Sequence, residues 1–183
     1  MKTTKKLQIG VIGYAGIKEY PKGKAPREEV YKAAERVCFL LAEKGVVVVT
    51  GGKSGIMESA AMGAKKANGT TVGVIKGNQR FRSNDFTDVE ILTGMVADGF
   101  DEFMLVMMCD VLITIGGGAG TLEEIAIAYR NKKPIIALEK TGGWADKTIL
   151  ECLDERETVK VCAVKSPEEA VEKALELAKK IYE

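Results

Sequence analysis

The fold is decided by Cys109 to Leu138, CDVLITIGGGAGTLEEIAIAYRNKKPIIAL. It opens with an apolar run, Val111–Ile115, uninterrupted by polar residues. Apolarity at consecutive rather than alternate positions marks a strand covered on both faces. The run enters Gly116-Gly117-Gly118-Ala119-Gly120-Thr121, then a helical pattern over Gly120–Asn131, then a second apolar run, Pro134–Leu138. Strand, glycine loop, helix, strand is the repeating unit of a parallel sheet. Four glycines in five positions clear space for close approach to the backbone, at a cost in chain entropy. The loop N–H groups and the Thr121 hydroxyl would then face a phosphate at the helix N-terminus. Thr121-Leu122-Glu123-Glu124 also fits a capping box, with Thr121 bonding the Glu124 N–H and Glu124 reaching back. Capping explains those two residues and leaves the glycines unexplained.

The same unit recurs along the chain. Further strands are expected at Leu7–Ile12, Val46–Thr50, Thr71–Ile75 and Val159–Ala163, with a weaker one at Glu90–Thr93. Helices are expected at Pro26–Lys44, Gly55–Asn68, Gly99–Cys109, Asp146–Leu153 and Pro167–Tyr182. Gly45 supplies a helix stop. Ser166-Pro167-Glu168-Glu169 is a start signal, with a serine cap, proline at the first position and acids in the first turn. Right-handed crossovers turn this order into an α/β three-layer sandwich. It would hold a mostly parallel sheet of six or seven strands, helices on both faces, in one domain over 1–183. The longest irregular piece, Lys76–Asp88, is expected to be mobile.

Composition narrows the chemistry. The net charge of +1 over 183 residues gives no general electrostatic grip on nucleic acid. No 18-residue apolar run offers a membrane span, and the start, MKTTKKLQIGVIG, lacks the long apolar core of a signal peptide. A cytoplasmic protein without membrane or nucleic-acid partners is expected. Cys38, Cys109, Cys152 and Cys162 form no CxxC pair and read as buried reduced thiols. The absence of histidine removes histidine triads and histidine metal sites. Neither a metal nor a resident cofactor is expected.

Ligands of an open parallel sheet bind outside the carboxyl ends of its strands. Four such ends carry glycine loops: Gly10–Gly16, Thr50–Gly55, Ile115–Thr121 and Thr141–Trp144. In the second, Gly51-Gly52-Lys53-Ser54-Gly55 resembles the tail of an ATP-binding P-loop. That motif needs a glycine five residues before Gly52, where Val47 stands inside the strand. What remains is a strand–helix turn that can offer N–H groups to one anion, or a tight turn with Lys53 in solvent. Gly10, Gly13 and Gly16 miss the G-x-G-x-x-G spacing, and Thr50 and Gly51 stand where a ribose-binding acid would be, so NAD binding is not expected. Arg80 and Arg82 flank Phe81 and read either as a lid over phosphate or as solvated loop. Trp144 reads as a base-stacking group or a subunit contact. Met104, Met107 and Met108 read as core or dimer packing.

Gly51-Gly52-Lys53-Ser54-Gly55-Ile56-Met57 and Gly116-Gly117-Gly118-Ala119-Gly120-Thr121-Leu122-Glu123-Glu124 together resemble the LOG family, long labelled possible lysine decarboxylase. That family's pattern is G-G-x-x-G-[LI]-M followed by P-G-G-x-G-T-x-x-E. The resemblance covers nearly all of the chain and implies a Rossmann-like nucleotide-binding fold. Gly116 in place of the proline aligns the chain with the molybdenum-cofactor-carrier-like branch. Well-studied LOG members are phosphoribohydrolases that cleave a nucleoside 5′-monophosphate to free base and ribose 5-phosphate. The resemblance implies that Gly117, Gly118, Gly120 and Thr121 hold a 5′-phosphate. It also places Glu124 near the ribose, where glycosidic cleavage builds positive charge. Gly13, Gly51, Gly52, Lys53 and Gly55 complete the expected binding set. It further implies a homodimer or higher homo-oligomer. No pyridoxal-phosphate lysine site supports the decarboxylase label.

One departure bears on the reaction. Hydrolase members carry an Arg-Lys pair on the helix before the P-G-G strand. Here those positions are Asp101 and Glu102, and between Arg82 and Arg130 there are nine acids and no Lys or Arg. The two acids also suit the first turn of a helix. The expected function is therefore to bind a nucleotide or other phosphate ester without turnover. The alternatives are a phosphoribohydrolase using Glu124 with another cation, and a metal-assisted enzyme for which no ligand spacing exists.

Overall fold

The computed structural model describes residues 5–16, 26–150 and 153–182. Strands β1 (Gln8–Gly13), β2 (Val47–Thr50), β3 (Thr70–Ile75), β4 (Val89–Leu92), β5 (Val111–Ile115), β6 (Ile135–Leu138) and β7 (Cys162–Val164) form one sheet in the order β4-β3-β2-β1-β5-β6-β7. Every neighbouring pair is parallel. The helices are α1 (Glu28–Glu43), α2 (Ile56–Lys66), α3 (Phe100–Met108), α4 (Ala119–Arg130), α5 (Gly143–Leu150) and α6 (Pro167–Tyr182). The expected α/β sandwich is the one observed, with seven strands.

Alternate strand residues feed two cores. Ile9, Val11, Val48, Ile113 and Ile115 pack with α1, α2 and α6 on one face. Ile12, Val49, Val72, Val74 and Leu112 pack with α3 and α4 on the other. Both faces are covered, which is why the strands lack polar alternation. The chain runs outward from β1 to β4, then returns to place β5 on the opposite side of β1. Successive connections therefore diverge between β1 and β5, and a crevice opens at their carboxyl ends.

Local signals acted as their chemistry dictates. Gly45, at φ 75°, stops α1 with its N–H on the Ala42 carbonyl. Ser166 Oγ accepts the Glu169 N–H, and Glu169 accepts the N–H of Lys165, so α6 opens with a reciprocal cap. Two boundaries moved. β7 starts at Cys162 rather than Val159, because its ladder partners are only Ile136, Ala137 and Leu138. α5 starts at Gly143 rather than Asp146, and the Asp146 carboxylate accepts the Gly142 N–H.

Lys76–Asp88 is not the loose segment its composition suggests. Glu90 accepts the N–H groups of Phe81, Arg82 and Ser83. Asn84 donates to the carbonyls of Gly52 and Lys53. These bonds clamp the segment to β4 and to the end of β2. Cys38 and Cys109 are buried free thiols whose ionisation burial pushes up; Cys162 is free and half-buried. The expectation for Cys152 falls outside the described residues. Met104 and Met108 pack against the core, whereas Met107 is exposed. No helix among the described residues is long and apolar enough to cross a membrane.

Helices α1 and α2 meet backbone to side chain at Gly63, where an added Cβ would overlap the Glu35 carbonyl oxygen. Alanine at an ordinary helical site gains about 1 kcal/mol over glycine. Here overpacking, at about 1–3 kcal/mol or more, dominates. Gly63→Ala is expected to lower stability by about 1–2 kcal/mol in urea denaturation.

Candidate functional site

A cavity of about 450 Å³ opens at the carboxyl ends of β1, β2 and β5. Val11, Ile12, Met57, Val74 and Leu105 make its apolar floor and sides. Its polar wall comes from four elements. β1 ends in Gly13, and the loop after β2 gives Gly51 and Lys53. The first turn of α3 gives Asp101 and Glu102, and the start of α4 gives Gly118, Gly120, Thr121 and Glu124.

Of the residues singled out in the sequence, Gly13, Gly51, Lys53, Gly118, Gly120, Thr121 and Glu124 line this cavity. Gly52, Gly55 and Gly117 stand behind it. Gly52 (φ 66°) binds the loop above through its carbonyl, which accepts the Asn84 N–H. At Gly55 (φ 80°) an added Cβ would sit 2.5 Å from the Tyr14 carbonyl oxygen, and that oxygen accepts the first N–H of α2 at 2.9 Å. Gly117 (φ 108°) has no room for a Cβ beside Thr121, and its carbonyl accepts the Trp144 N–H at 3.1 Å. The fourth glycine loop thus buttresses the third rather than lining the cavity. Trp144 packs against the core, with the Lys147 ammonium over its ring.

The capping box expected at Thr121-x-x-Glu124 does not form. α4 begins two residues earlier, with Gly118 as its N-cap and no side-chain cap. Thr121 is inside the helix and donates its hydroxyl proton to the Gly13 carbonyl at 3.1 Å. The first bond onto Gly118 comes from the Leu122 N–H, so those of Ala119, Gly120 and Thr121 precede it. The helix dipole adds partial positive charge at the same place.

Glycine 116, where the resembling family has proline, has φ 67°, which a proline ring cannot adopt. An added Cβ would overlap the Tyr14 ring. Tyr14 was not among the sequence candidates. Its only signal was its place between Gly13 and Gly16.

The electrostatics of the wall are unusual for a phosphate site. Lys53 is the one cation among the described lining residues, against the carboxyls of Asp101, Glu102 and Glu124. Lys53 is half exposed and 3.8 Å from Asp101 Oδ2. Glu102 accepts the Gly99 N–H at 3.1 Å, as a first-turn acid should. Burial, then the neighbouring carboxyl of Asp101, raises its pKa. Asp101 is only 7% exposed, and its Oδ1 is buried without an N–H or O–H partner. Glu124 lines the cavity, and its pKa is raised well above the ordinary value by burial, then by Glu102 and Asp101, with Lys53 opposing. Among the described residues no group of three or more His, Cys, Asp or Glu is placed to hold a metal ion.

A second cavity of about 360 Å³ adjoins the first through Gly51 and Lys53 and is lined also by Lys76 and Arg82. Arg80 instead lies over the ring of Phe81, which is in solvent. Of the two arginines, Arg82 alone lines a cavity.

The model of the SLOG cluster4 family matches residues 6–171. A protein of Archaeoglobus fulgidus is 41% identical over 135 residues, 74% of this chain and 82% of its own. Among solved structures, TM1055 superposes with a TM-score of 0.83 at 33% identity, over 93% of this chain and 99% of that one. The molybdenum cofactor binding protein of Rippkaea orientalis gives 0.78 at 31%, over 99% and 100%. The molybdenum cofactor carrier protein of Chlamydomonas reinhardtii gives 0.77 at 28%, over 96% and 99%. The glycine loops, the strand order and a match along residues 6–171 place this chain in the SLOG cluster4 family, a LOG-like branch of the Rossmann-like proteins.

Proposed function

We propose that this protein binds a phosphorylated small molecule at the β1–β5 crevice and carries it without chemical change. The observation that carries the reading is Gly120. It lies in the first turn of α4, where alanine is favoured by about 1 kcal/mol. Its backbone is helical, and an added Cβ would meet only Glu102 Oε1, at an ordinary 3.7 Å. Packing does not require glycine here. What the missing side chain supplies is open space in front of the Ala119, Gly120 and Thr121 N–H groups, with Lys53 across the cavity.

The cargo suggested by two similar proteins is the molybdenum cofactor, a pterin bearing a phosphate. The cavity suits those chemical parts. Its volume is in the range of small-molecule sites. The α4 N-terminus offers amide donors for the phosphate, and Asp101 and Glu102 offer acceptors for ring N–H groups. The chain's share would be to bind, orient and shield the cargo. A nucleotide of similar size presents the same groups.

Carriage is favoured over N-glycosidic hydrolysis by the state of Glu124. A carboxylate can offset positive charge on a cleaving sugar; a carboxyl kept protonated by its neighbours cannot. No arginine lines the main cavity among the described residues.

Native mass spectrometry of freshly purified protein is expected to show a retained phosphorylated adduct. Gly120→Leu, which fills the space, is expected to lose it while unfolding at a similar temperature. Protein that carries no adduct, and binds neither phosphate, nucleoside monophosphates nor molybdenum cofactor, ends the proposal. Release of free base from monophosphates would favour the hydrolase instead.

The raised pKa of Glu124 has a stability consequence of definite sign. Below the ordinary value of 4.5 the group is protonated in both states and contributes nothing. As pH rises past 4.5 the unfolded chain releases this proton first, so folding stability falls until the folded group ionises too. Each tenfold difference in proton affinity between the two states corresponds to about 1.4 kcal/mol. Glu124→Gln is therefore expected to be more stable than the parent at pH 7, with the gain vanishing near pH 4. Urea denaturation at the two pH values checks this.

A further inference from the structure

Asp101 is a buried acid whose position calls for a donor that the protein itself does not provide. Its side chain comes from the first turn of α3 and lines the cavity, 7% exposed. Oδ2 faces Lys53 at 3.8 Å, too long for a hydrogen bond. Oδ1 has no N–H or O–H partner. A buried carboxylate oxygen left unpaired costs more than an ordinary missing hydrogen bond. Its neighbour Glu102 is itself a carboxyl, able to satisfy Asp101 only by carrying a proton. Glu102 Oε2 is meanwhile engaged by the Gly99 N–H. Glu124, across the cavity on α4, has no hydrogen-bond donor among the described residues either.

Resting on the reading that a phosphorylated ring compound occupies this cavity, we propose that Asp101, with Glu102 beside it, recognises two adjacent N–H donors on the ligand's ring. The ligand class is a phosphorylated heterocycle with a 2-amino-4-oxopyrimidine edge, the guanine or pterin type. Such an edge presents a ring N–H and an exocyclic amino group side by side, and a carboxylate meets them with two parallel bonds. Adenine presents an acceptor at the matching ring nitrogen and would set it against Asp101. The positions that carry Arg-Lys in the resembling hydrolases thus select by accepting hydrogen bonds here. Two paired donors would satisfy Asp101 Oδ1 and compensate its burial. Lys53 remains free to move from Asp101 Oδ2 to the phosphate, since its side chain is half exposed.

The test is calorimetric binding of GMP, IMP, AMP and inorganic phosphate to the full chain and to Asp101→Asn. A bidentate contact discriminates by about tenfold to a hundredfold. GMP is expected to bind at least tenfold tighter than AMP, with IMP, which lacks the amino group, in between. In Asp101→Asn one acceptor becomes a donor, so GMP should weaken at least tenfold and AMP should not. Thermal unfolding of the variant verifies its fold, and the GMP to AMP ratio of the parent chain needs no variant at all. Equal affinities for GMP and AMP, unchanged in Asp101→Asn, overturn the role of Asp101 and leave the phosphate reading standing. Failure of phosphate and all three nucleotides to bind overturns the phosphate reading, and this inference with it.

Discussion

The site depends on how closely two backbones approach where β1 and β5 part. Gly13 ends β1, and a Cβ there would overlap the Ile115 carbonyl oxygen at the end of β5. The Gly13 carbonyl in turn receives the Thr121 hydroxyl. One glycine thus lets the strands stay in register up to their last pair, Gly13 with Ile115, and anchors the first turn of α4 to β1. The orientation of α4 sets where its free N–H groups point. A larger residue at position 13 would displace strand and helix together, because neither carbonyl can yield without breaking the ladder.

This geometry creates an electrostatic problem that protonation resolves. Three carboxyls share the cavity with one half-exposed lysine. Two like charges about 4 Å apart repel by about 4 kcal/mol at an effective dielectric of 20. Keeping a carboxyl protonated one pH unit above its ordinary pKa costs only about 1.4 kcal/mol. Proton uptake is the cheaper course, which is the direction found for both Glu102 and Glu124. With those protons in place the wall no longer repels an anion, and its remaining charge, on Asp101, faces Lys53. The helix termini of α3 and α4 act in the same sense, since each stabilises negative charge beside its first turn. Amide donors and carboxyls then serve different parts of one guest.

The fold was legible because burial on both faces writes strands as unbroken apolar runs, and because Gly45 and Ser166 carry their stop and start signals locally. What failed was decided at a distance. Lys76–Asp88 reads as loose loop, since nothing in its own composition shows that Glu90 gathers three of its N–H groups. Thr121 and Glu124 fit a capping box by spacing, yet Gly118 takes the cap and the Gly13 carbonyl, 108 residues away, claims the Thr121 hydroxyl. The candidate site was legible as a rim of glycine loops but not in its inner wall. Asp101 and Glu102 stood out as a departure from a pattern; that they face the cavity required the α3–α4 packing.

The glycines themselves divide into two kinds, and the division limits what a motif match says about chemistry. Gly55, Gly116 and Gly117 all have positive φ and would each collide with the protein's own atoms if given a Cβ. Their requirement is internal: strand ends, Tyr14 and the start of α4 cannot be assembled without them, whatever guest is bound. A sequence sharing them shares the scaffold. Gly120 has helical backbone and room for a side chain, and Asp101 keeps a buried oxygen unpaired. Neither is explained by folding, since alanine would favour the helix at the first and an apolar residue would avoid the desolvation at the second. Residues that cost stability and satisfy nothing within the chain point to a partner outside it. By that criterion the reaction or cargo of this protein is written at Gly120 and Asp101, and the shared glycine pattern describes the frame that presents them.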